Sequence, residues 1–165
     1  MICIIDFDGT LLKNDFFEES FFKNLIDNPF YLLMLLFKKK FNLLEIKKEL
    51  LSNFNCKYDI NFLINDEVIE WINNNRSRFT HIFLVSATPD SFLKLILKDQ
   101  RIFDEMFGSK KINLKGPQKL KFIQQKWNSD FAYIGDSNDD IPIFKVAKES
   151  YKVIKNKVIN VKSIY

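Results

Sequence analysis

The chain opens on a short apolar run, Met1-Ile2-Cys3-Ile4-Ile5, rich in β-branched residues and bounded by charge. That is the pattern of a strand buried on both faces. The period then changes from strand to helix and stays helical from 11 to 80. Asp15 predicts an N-cap for a helix carrying Phe16, Phe17, Phe21, Phe22, Leu25 and Ile26 on one face. Pro29 opens a second helix at its first position, and Lys38-Lys39-Lys40 closes it where cations suit the dipole. Asn42 opens a third, with Leu43, Ile46, Leu50, Leu51 and Phe54 inward, and a last helical stretch ends near Trp71-Ile72. The strand pattern returns at His81-Ile82-Phe83-Leu84-Val85 and ends in Ser86-Ala87-Thr88. Pro89 then starts a helix through Lys98 with Thr88 as its cap. A short strand is expected over 103–107, and Gly116-Pro117 opens a helix carrying Leu120, Ile123 and Trp127. Phe131-Ala132-Tyr133-Ile134 is a third buried strand ending at Gly135-Asp136, and 150–154 a last one. Alternating strands and helices predict a three-layer, Rossmann-like parallel α/β sheet. Its core is 1–10 and 81–165, with 11–80 as an inserted helical cap.

Composition narrows the function classes. Of 165 residues, 47% are hydrophobic and 28% charged, which describes a globular chain, not a disordered one. With 4 Gly and 4 Pro there are few breakers, so most of the chain is expected in regular structure. A net charge of +4, spread along the chain with no basic stripe, argues against a nucleic-acid partner. Cys3 and Cys56 have neither disulfide nor metal spacing and are expected as reduced thiols of a cytoplasmic protein. A strand starting at the second residue leaves no room for a signal peptide. The longest apolar run, Phe30 to Phe37, is eight residues, too short to span a bilayer.

The candidate chemistry lies where strands end. Asp6 and Asp8 follow the first strand, Ser86 and Thr88 the second, and Asp136 with Asp139 and Asp140 the third. Parallel strands present their C-terminal ends on one edge, where ligands bind in open α/β sheets. Carboxylates gathered there need donors or a hard, oxygen-loving cation, Mg²⁺ being the simplest. Such a set suits phosphoryl transfer, with a cation beside the phosphate oxygens and a carboxylate as nucleophile. Blander roles stand beside these. Ser86 and Thr88 also fit a strand-end turn and a helix cap, Asp139 a solvent-facing helix start, and Asp140 the dipole of that helix. The lone His81, at a strand start, is expected to be structural.

Together the stretches resemble the four motifs of the haloacid dehalogenase (HAD) superfamily of phosphatases, in order and over nearly the whole chain. Asp6-Phe7-Asp8-Gly9-Thr10 is similar to the first motif, implying Asp6 as nucleophile and Asp8 as general acid, then base. Ser86 is similar to the second motif's phosphate-binding hydroxyl and Lys119 to the third motif's lysine, with Lys115 as a rival and Lys121 as a solvated side chain. Gly135-Asp136-Ser137-Asn138-Asp139-Asp140 resembles the fourth, implying acids around Mg²⁺. The metal set implied is Asp6, the Asp8 carbonyl and Asp136, with Thr10 and Asp140 in support. Asp139 stands where the family usually has Asn.

The insertion resembles the small helical cap of phosphoserine-phosphatase-like members. The order of its helices, with Asn113-Leu114-Lys115-Gly116 and the last motif before Ile141-Pro142, resembles the phosphatase-like domain fused to UbiA-type membrane prenyltransferases. The resemblance implies a Mg²⁺-dependent phosphomonoester hydrolase acting on a small phosphorylated substrate. A general acid at Asp8 sets it apart from the dehalogenase and ATPase branches. The alternative is a binding or regulatory module on a membrane prenyltransferase. The substrate is not legible in cap helices made mostly of Phe and Leu. The eight-residue run is expected to bury in the cap and against the sheet, or to turn Tyr31, Leu35 and Lys38-Lys39-Lys40 toward a membrane or an apolar substrate tail.

Overall fold

β1 (Ile2–Ile5) is buried along its whole length because it lies in the middle of a six-stranded sheet. The computed structural model describes residues 1–39, 42–52, 64–98 and 100–161; expectations placed on Lys40, Phe54, Cys56 and the Phe16 side chain lie outside it. The strand order is β3 (Glu105–Ser109), β2 (Ile82–Pro89), β1, β4 (Phe131–Gly135), β5 (Glu149–Ile154), β6 (Lys157–Asn160). The chain adds β2 and β3 on one side of β1, then crosses to β4 on the other, so strand order reverses beside Asp6. Pairing of Ile5 with Leu84 and with Ile134 brings the ends of β1, β2 and β4 level.

Alternate β1 residues feed the two faces. On one, Cys3 and Ile5 pack with Leu84, Ile134 and Val153 under α4 (Asp66–Asn75) and α5 (Asp90–Ile96). On the other, Ile2 and Ile4 pack with Phe83, Val85 and Tyr133 under α6 (Pro117–Lys126) and α7 (Ile141–Phe144). This is the expected three-layer α/β arrangement. The aromatic residues of α6 and its neighbours form a cluster, Phe83 stacking on Trp127 at 4.5 Å between centroids. His81 stacks on Phe83 as a structural side chain.

The insertion is α1 (Phe16–Asp27), α2 (Pro29–Lys38) and α3 (Leu43–Ser52), with a core of its own formed by Leu32, Leu35, Ile46 and Leu50. Asp15 caps α1 as expected, its Oδ1 accepting the N–H groups of Phe17 and Glu18. The two ends of the insertion meet at a neck. Leu12 bridges Ile64, and the Asn65 backbone and side-chain amides donate to the carbonyls of Leu11 and Thr10.

Four expectations are corrected. α4 falls within 11–80, yet Val68 and Ile72 are fully buried in the sheet's own core, so its apolar face belongs to the α/β layer. α2 does not bury all round: one face enters the insertion, while Phe30, Leu33, Met34 and Phe37 stay exposed. Thr88 does not cap α5, which starts at Asp90 without a side-chain cap; its hydroxyl turns to Asp8 instead. The sheet is not wholly parallel, because β6 returns antiparallel to β5 through Lys155 and Asn156, both at positive φ.

β2 is irregular where the site needs it. Val85 pairs with Phe107 and Pro89 with Ser109, so β2 carries extra residues, Ser86 to Thr88, against a shorter stretch of β3. Gly108 makes this possible: a Cβ there would lie 2.5 Å from backbone atoms of Asp90 and 2.6 Å from the Thr88 carbonyl oxygen. Gly108→Ala is expected to destabilise the fold by about 1–3 kcal/mol through overpacking against rigid backbone. Urea denaturation measures this, and an unchanged midpoint would refute the close approach.

Candidate active site

Asp6 leaves β1 buried, only 8% of the residue being exposed, with its carboxylate surrounded. Its Oδ1 accepts the Phe7 N–H at 2.7 Å, and its Oδ2 lies 2.8 Å from Lys119 Nζ. Lys119 reaches it from the first turn of α6. Pro117 sits at the start of that helix, and Gly116 turns the chain at φ +53°. The ammonium also donates to the Tyr133 hydroxyl at 3.1 Å and lies 3.5 Å from Asp140 Oδ1. Tyr133 in turn donates to Asp140 Oδ1 at 2.8 Å. Asp136, at the end of β4, accepts from the Thr10 hydroxyl at 3.3 Å.

Burial and crowding set the electrostatics. Burial, reinforced by Asp140 and opposed by Lys119, pushes the Asp6 carboxyl up to about 7. Burial and then Asp140 raise Asp136. Burial pulls the Lys119 ammonium down, but Asp6 and Asp140 together outweigh it and hold it charged, above the ordinary lysine range. Burial also lifts the Tyr133 phenol well above its usual value, with the neighbouring acids adding to it. One lysine therefore faces three carboxylates.

Those carboxylates fit a divalent cation. Asp6, Asp136 and Asp140 each offer an oxygen, all within 4.8 Å of one another. Asp140 Oδ2 is buried and has no hydrogen-bond partner, a costly arrangement that a hard cation would relieve. Gly9 leaves space for the group: its φ is +68°, and a Cβ there would fall 2.3 Å from Asp136 Oδ2.

The remaining expected residues are placed in varied ways. Asp8 accepts from the Thr88 hydroxyl at 2.5 Å, so its carboxylate is oriented by β2. Ser86 is buried at the bend of β2, and its Oγ accepts the Thr88 N–H at 2.9 Å. Of the two rival lysines, Lys119 enters the acid cluster, whereas Lys115 stays exposed and pairs with Asp139 at 3.1 Å. Asp139 is the solvent-facing residue of its helix start, its N–H accepted by Ser137. A cavity of about 460 Å³ opens above Asp6, Asp8 and Lys119.

Two features went unforeseen. Tyr133 was expected only as a buried strand residue, although a phenol in an otherwise apolar strand must find a partner. The insertion's contribution was also missed: Lys13, Asp15, Glu18 and Lys47 line the cavity. No signal in the sequence set these four apart: Lys13 and Asp15 precede α1, and Glu18 and Lys47 stand beside other charged residues. Among the described residues, no long apolar side chain of α1 or α2 lines the cavity.

No protein-family model matches the chain. It is 31% identical over 148 residues to the uncharacterized protein y4nM of Sinorhizobium fredii, and this match spans 87% of the chain but only 28% of that protein. Among solved structures, it superposes on a phosphoserine phosphohydrolase-like protein of Francisella tularensis with a TM-score of 0.64, at 16% identity, covering 94% of this chain and 88% of that one. A HAD-superfamily hydrolase of Ehrlichia chaffeensis gives 0.56 at 22% identity, with the same coverage of each chain. A phospho-aspartyl intermediate analogue of phosphoserine phosphatase gives 0.54 at 18% identity, covering 90% and 84%. The chain therefore shares its fold with these structures over most of its length.

Tyr133→Phe tests the polar network beneath the acids. Removing the hydroxyl strips Asp140 Oδ1 of a donor and Lys119 of an acceptor, and is expected to cost about 1–3 kcal/mol of stability. Chemical denaturation reads the loss; equal stability would mean the phenol contributes nothing.

Proposed function

We propose that the chain is a phosphomonoester hydrolase that works through an aspartyl-phosphate on Asp6 with Mg²⁺ as cofactor. The observation that carries this is the cluster of three carboxylates closed by one buried lysine, with an unpartnered oxygen on Asp140. The likeness to HAD-type phosphatases supports it. A carboxylate oxygen of Asp6 attacks phosphorus while the bond to the leaving oxygen breaks, and Asp8 hands that oxygen a proton. Water then attacks the acyl phosphate, Asp8 takes its proton, and inorganic phosphate leaves with Asp6 restored. Thr88 orients Asp8 for both transfers. Ser86 and Lys119 hold the remaining phosphate oxygens, and Thr10 steadies Asp136. Asp6, the Asp8 carbonyl and Asp136 would hold Mg²⁺ with Asp140 beside them. Bound there, the ion would supply charge neutralisation at the phosphoryl oxygens. The alternative, a non-catalytic module on a membrane prenyltransferase, gives no reason to keep this costly buried set intact. The reading places the enzyme in the cytoplasm, in keeping with the free, buried Cys3.

A second reading concerns where it works. Phe30 is 86% and Phe37 66% exposed, and with Leu33 and Met34 they form an i, i+3, i+4, i+7 stripe on α2, beside exposed Phe22 and Ile26 of α1. No helix among the described residues is long and apolar enough to cross a membrane. Such a stripe, ending at Lys38, suits shallow attachment to an anionic bilayer surface.

Hydrolysis of p-nitrophenyl phosphate with Mg²⁺ against EDTA tests the chemistry. Asp6→Asn, nearly isosteric, is expected to lower turnover on the order of 10⁴-fold or more with the fold intact. Near wild-type turnover would remove Asp6 as nucleophile. Mg²⁺ at about a hundred times its Kd is expected to stabilise the protein by about 2.7 kcal/mol. Asp136→Ala should abolish the resulting rise in Tm; a rise preserved in that variant would place the ion elsewhere. For the second reading, the protein should sediment with phosphatidylserine vesicles and the Phe30→Ser, Phe37→Ser double variant should not. Equal behaviour of the two proteins would dismiss membrane attachment by this face.

A further inference from the structure

Lys119 has two acids within reach and does not divide itself evenly between them. Its Nζ lies 2.8 Å from Asp6 Oδ2 but 3.5 Å from Asp140 Oδ1. Charge alone gives no reason for that asymmetry. Asp140 is the more deeply buried of the two, and its Oδ2 has no hydrogen-bond partner, so it has the greater need of a cation. With nothing between them, the ammonium would be expected to close on Asp140.

The Tyr133 hydroxyl stands between them. It donates to Asp140 Oδ1 at 2.8 Å and accepts from Lys119 at 3.1 Å, a spacer hydrogen-bonded to both charges. Its position is fixed from behind. Tyr133 is fully buried in β4, paired with Ile4 and Ser150 of the flanking strands, and its ring packs edge-on against Phe144 at 5.6 Å. Gly135, two residues further along the same face of β4, leaves the room for this pairing. A Cβ there would fall 2.4 Å from Asp140 Oδ2 and 2.8 Å from Tyr133 Cε1.

We infer that Tyr133 is a positioning residue: by occupying Asp140 Oδ1 it reserves Lys119 for Asp6 and for the phosphoryl group that Asp6 receives. The inference rests on the phosphatase reading of the Asp6 site and adds to it a residue that works through the lysine without touching substrate. A phenylalanine would fill the place of the ring in the core equally well. It would leave Asp140 Oδ1 without its short donor, however, and would open the volume of the hydroxyl to the ammonium. Drawn to Asp140, Lys119 is withdrawn from Asp6 Oδ2 and from the phosphate oxygens above it.

Tyr133→Phe, studied with Mg²⁺ present, tests this by where the ammonium goes and by what it holds. In a crystal structure of the variant, Nζ is expected about 2.8 Å from Asp140, the length of a charge-assisted hydrogen bond, and out of hydrogen-bond contact with Asp6. Calorimetric titration with inorganic phosphate is expected to show binding about tenfold weaker, the scale of one hydrogen bond to a charged group. A hydroxyl that served stability alone would lower the Tm and move neither. Asp140→Asn supplies the second arm of a double-mutant cycle. With the competing charge gone, adding Tyr133→Phe should change phosphate affinity by less than about twofold. That background also decides the matter if the single variant is too unstable to assay, since it removes the buried charge that the lost hydroxyl leaves short of a donor. Lys119 still on Asp6 in Tyr133→Phe, unchanged phosphate affinity there, or a tenfold loss that persists in the Asp140→Asn background each overturns the inference. Failure of the phosphatase reading shows separately, as absence of p-nitrophenyl phosphate turnover by the wild type while Lys119 still changes partner in Tyr133→Phe.

Discussion

The contact on which the rest depends is the buried triad of Lys119, Asp6 and Asp140, with Tyr133 wedged among them. Three elements distant in sequence must agree for it to form: the end of β1, the first turn of α6 and the short helical turn after β4 (Asn138–Asp140). Removing one partner from such a group leaves an uncompensated charge in low dielectric, which is far more damaging than never having had the pair. The network therefore couples the assembly of the sheet to the assembly of the site. It also sets the direction in which chemistry can occur. The lysine engages the acids from within the fold, and the opposite side of Asp6 is open to the cavity.

Much of this was legible in the sequence, for reasons that can be traced to particular residues. Short β-branched runs ending in acids, as at Ile5-Asp6 and Ile134-Gly135-Asp136, state both a strand and the polarity of its end. Pro29 and Pro117 mark helix starts that the structure reproduces. What escaped is what depends on contacts between elements. Thr88 reads locally as a cap, but Asp8 lies within reach across the sheet and takes the hydroxyl. α4 has a helical period that says nothing about which domain it packs against; Val68 and Ile72 answer that only in three dimensions. β6 is short and carries Lys157 and Asn160 at its ends, so its pairing with β5 comes from the turn at Lys155 and Asn156 rather than from a strong strand pattern.

The insertion shows why amphipathic patterning alone is ambiguous. α2 is apolar nearly all round, and periodicity cannot say which side meets protein. The fold resolves it by giving Leu32 and Leu35 to the insertion's core and leaving Phe30 and Phe37 outward. Of the many polar residues in the same segment, Lys13, Asp15, Glu18 and Lys47 turn toward the cavity. Function in this segment is concentrated in the minority of its side chains.

The neck at Leu12 and Ile64 has a consequence for how this architecture diversifies. The two crossing points of the insertion are already tied by a strand-like bridge and by Asn65, and beyond them Leu51 of α3 packs into the sheet's core. The entropy of closing a loop grows only logarithmically, about 0.6 kcal/mol for each doubling of its length. A longer, shorter or differently charged segment can thus be exchanged at that gate with little closure penalty, provided that it still fills the place of Leu51 in the sheet's core. The acid cluster at the sheet's edge and the segment above it can in this sense diversify largely apart, joined by one pair of backbone crossings and the packing of Leu51.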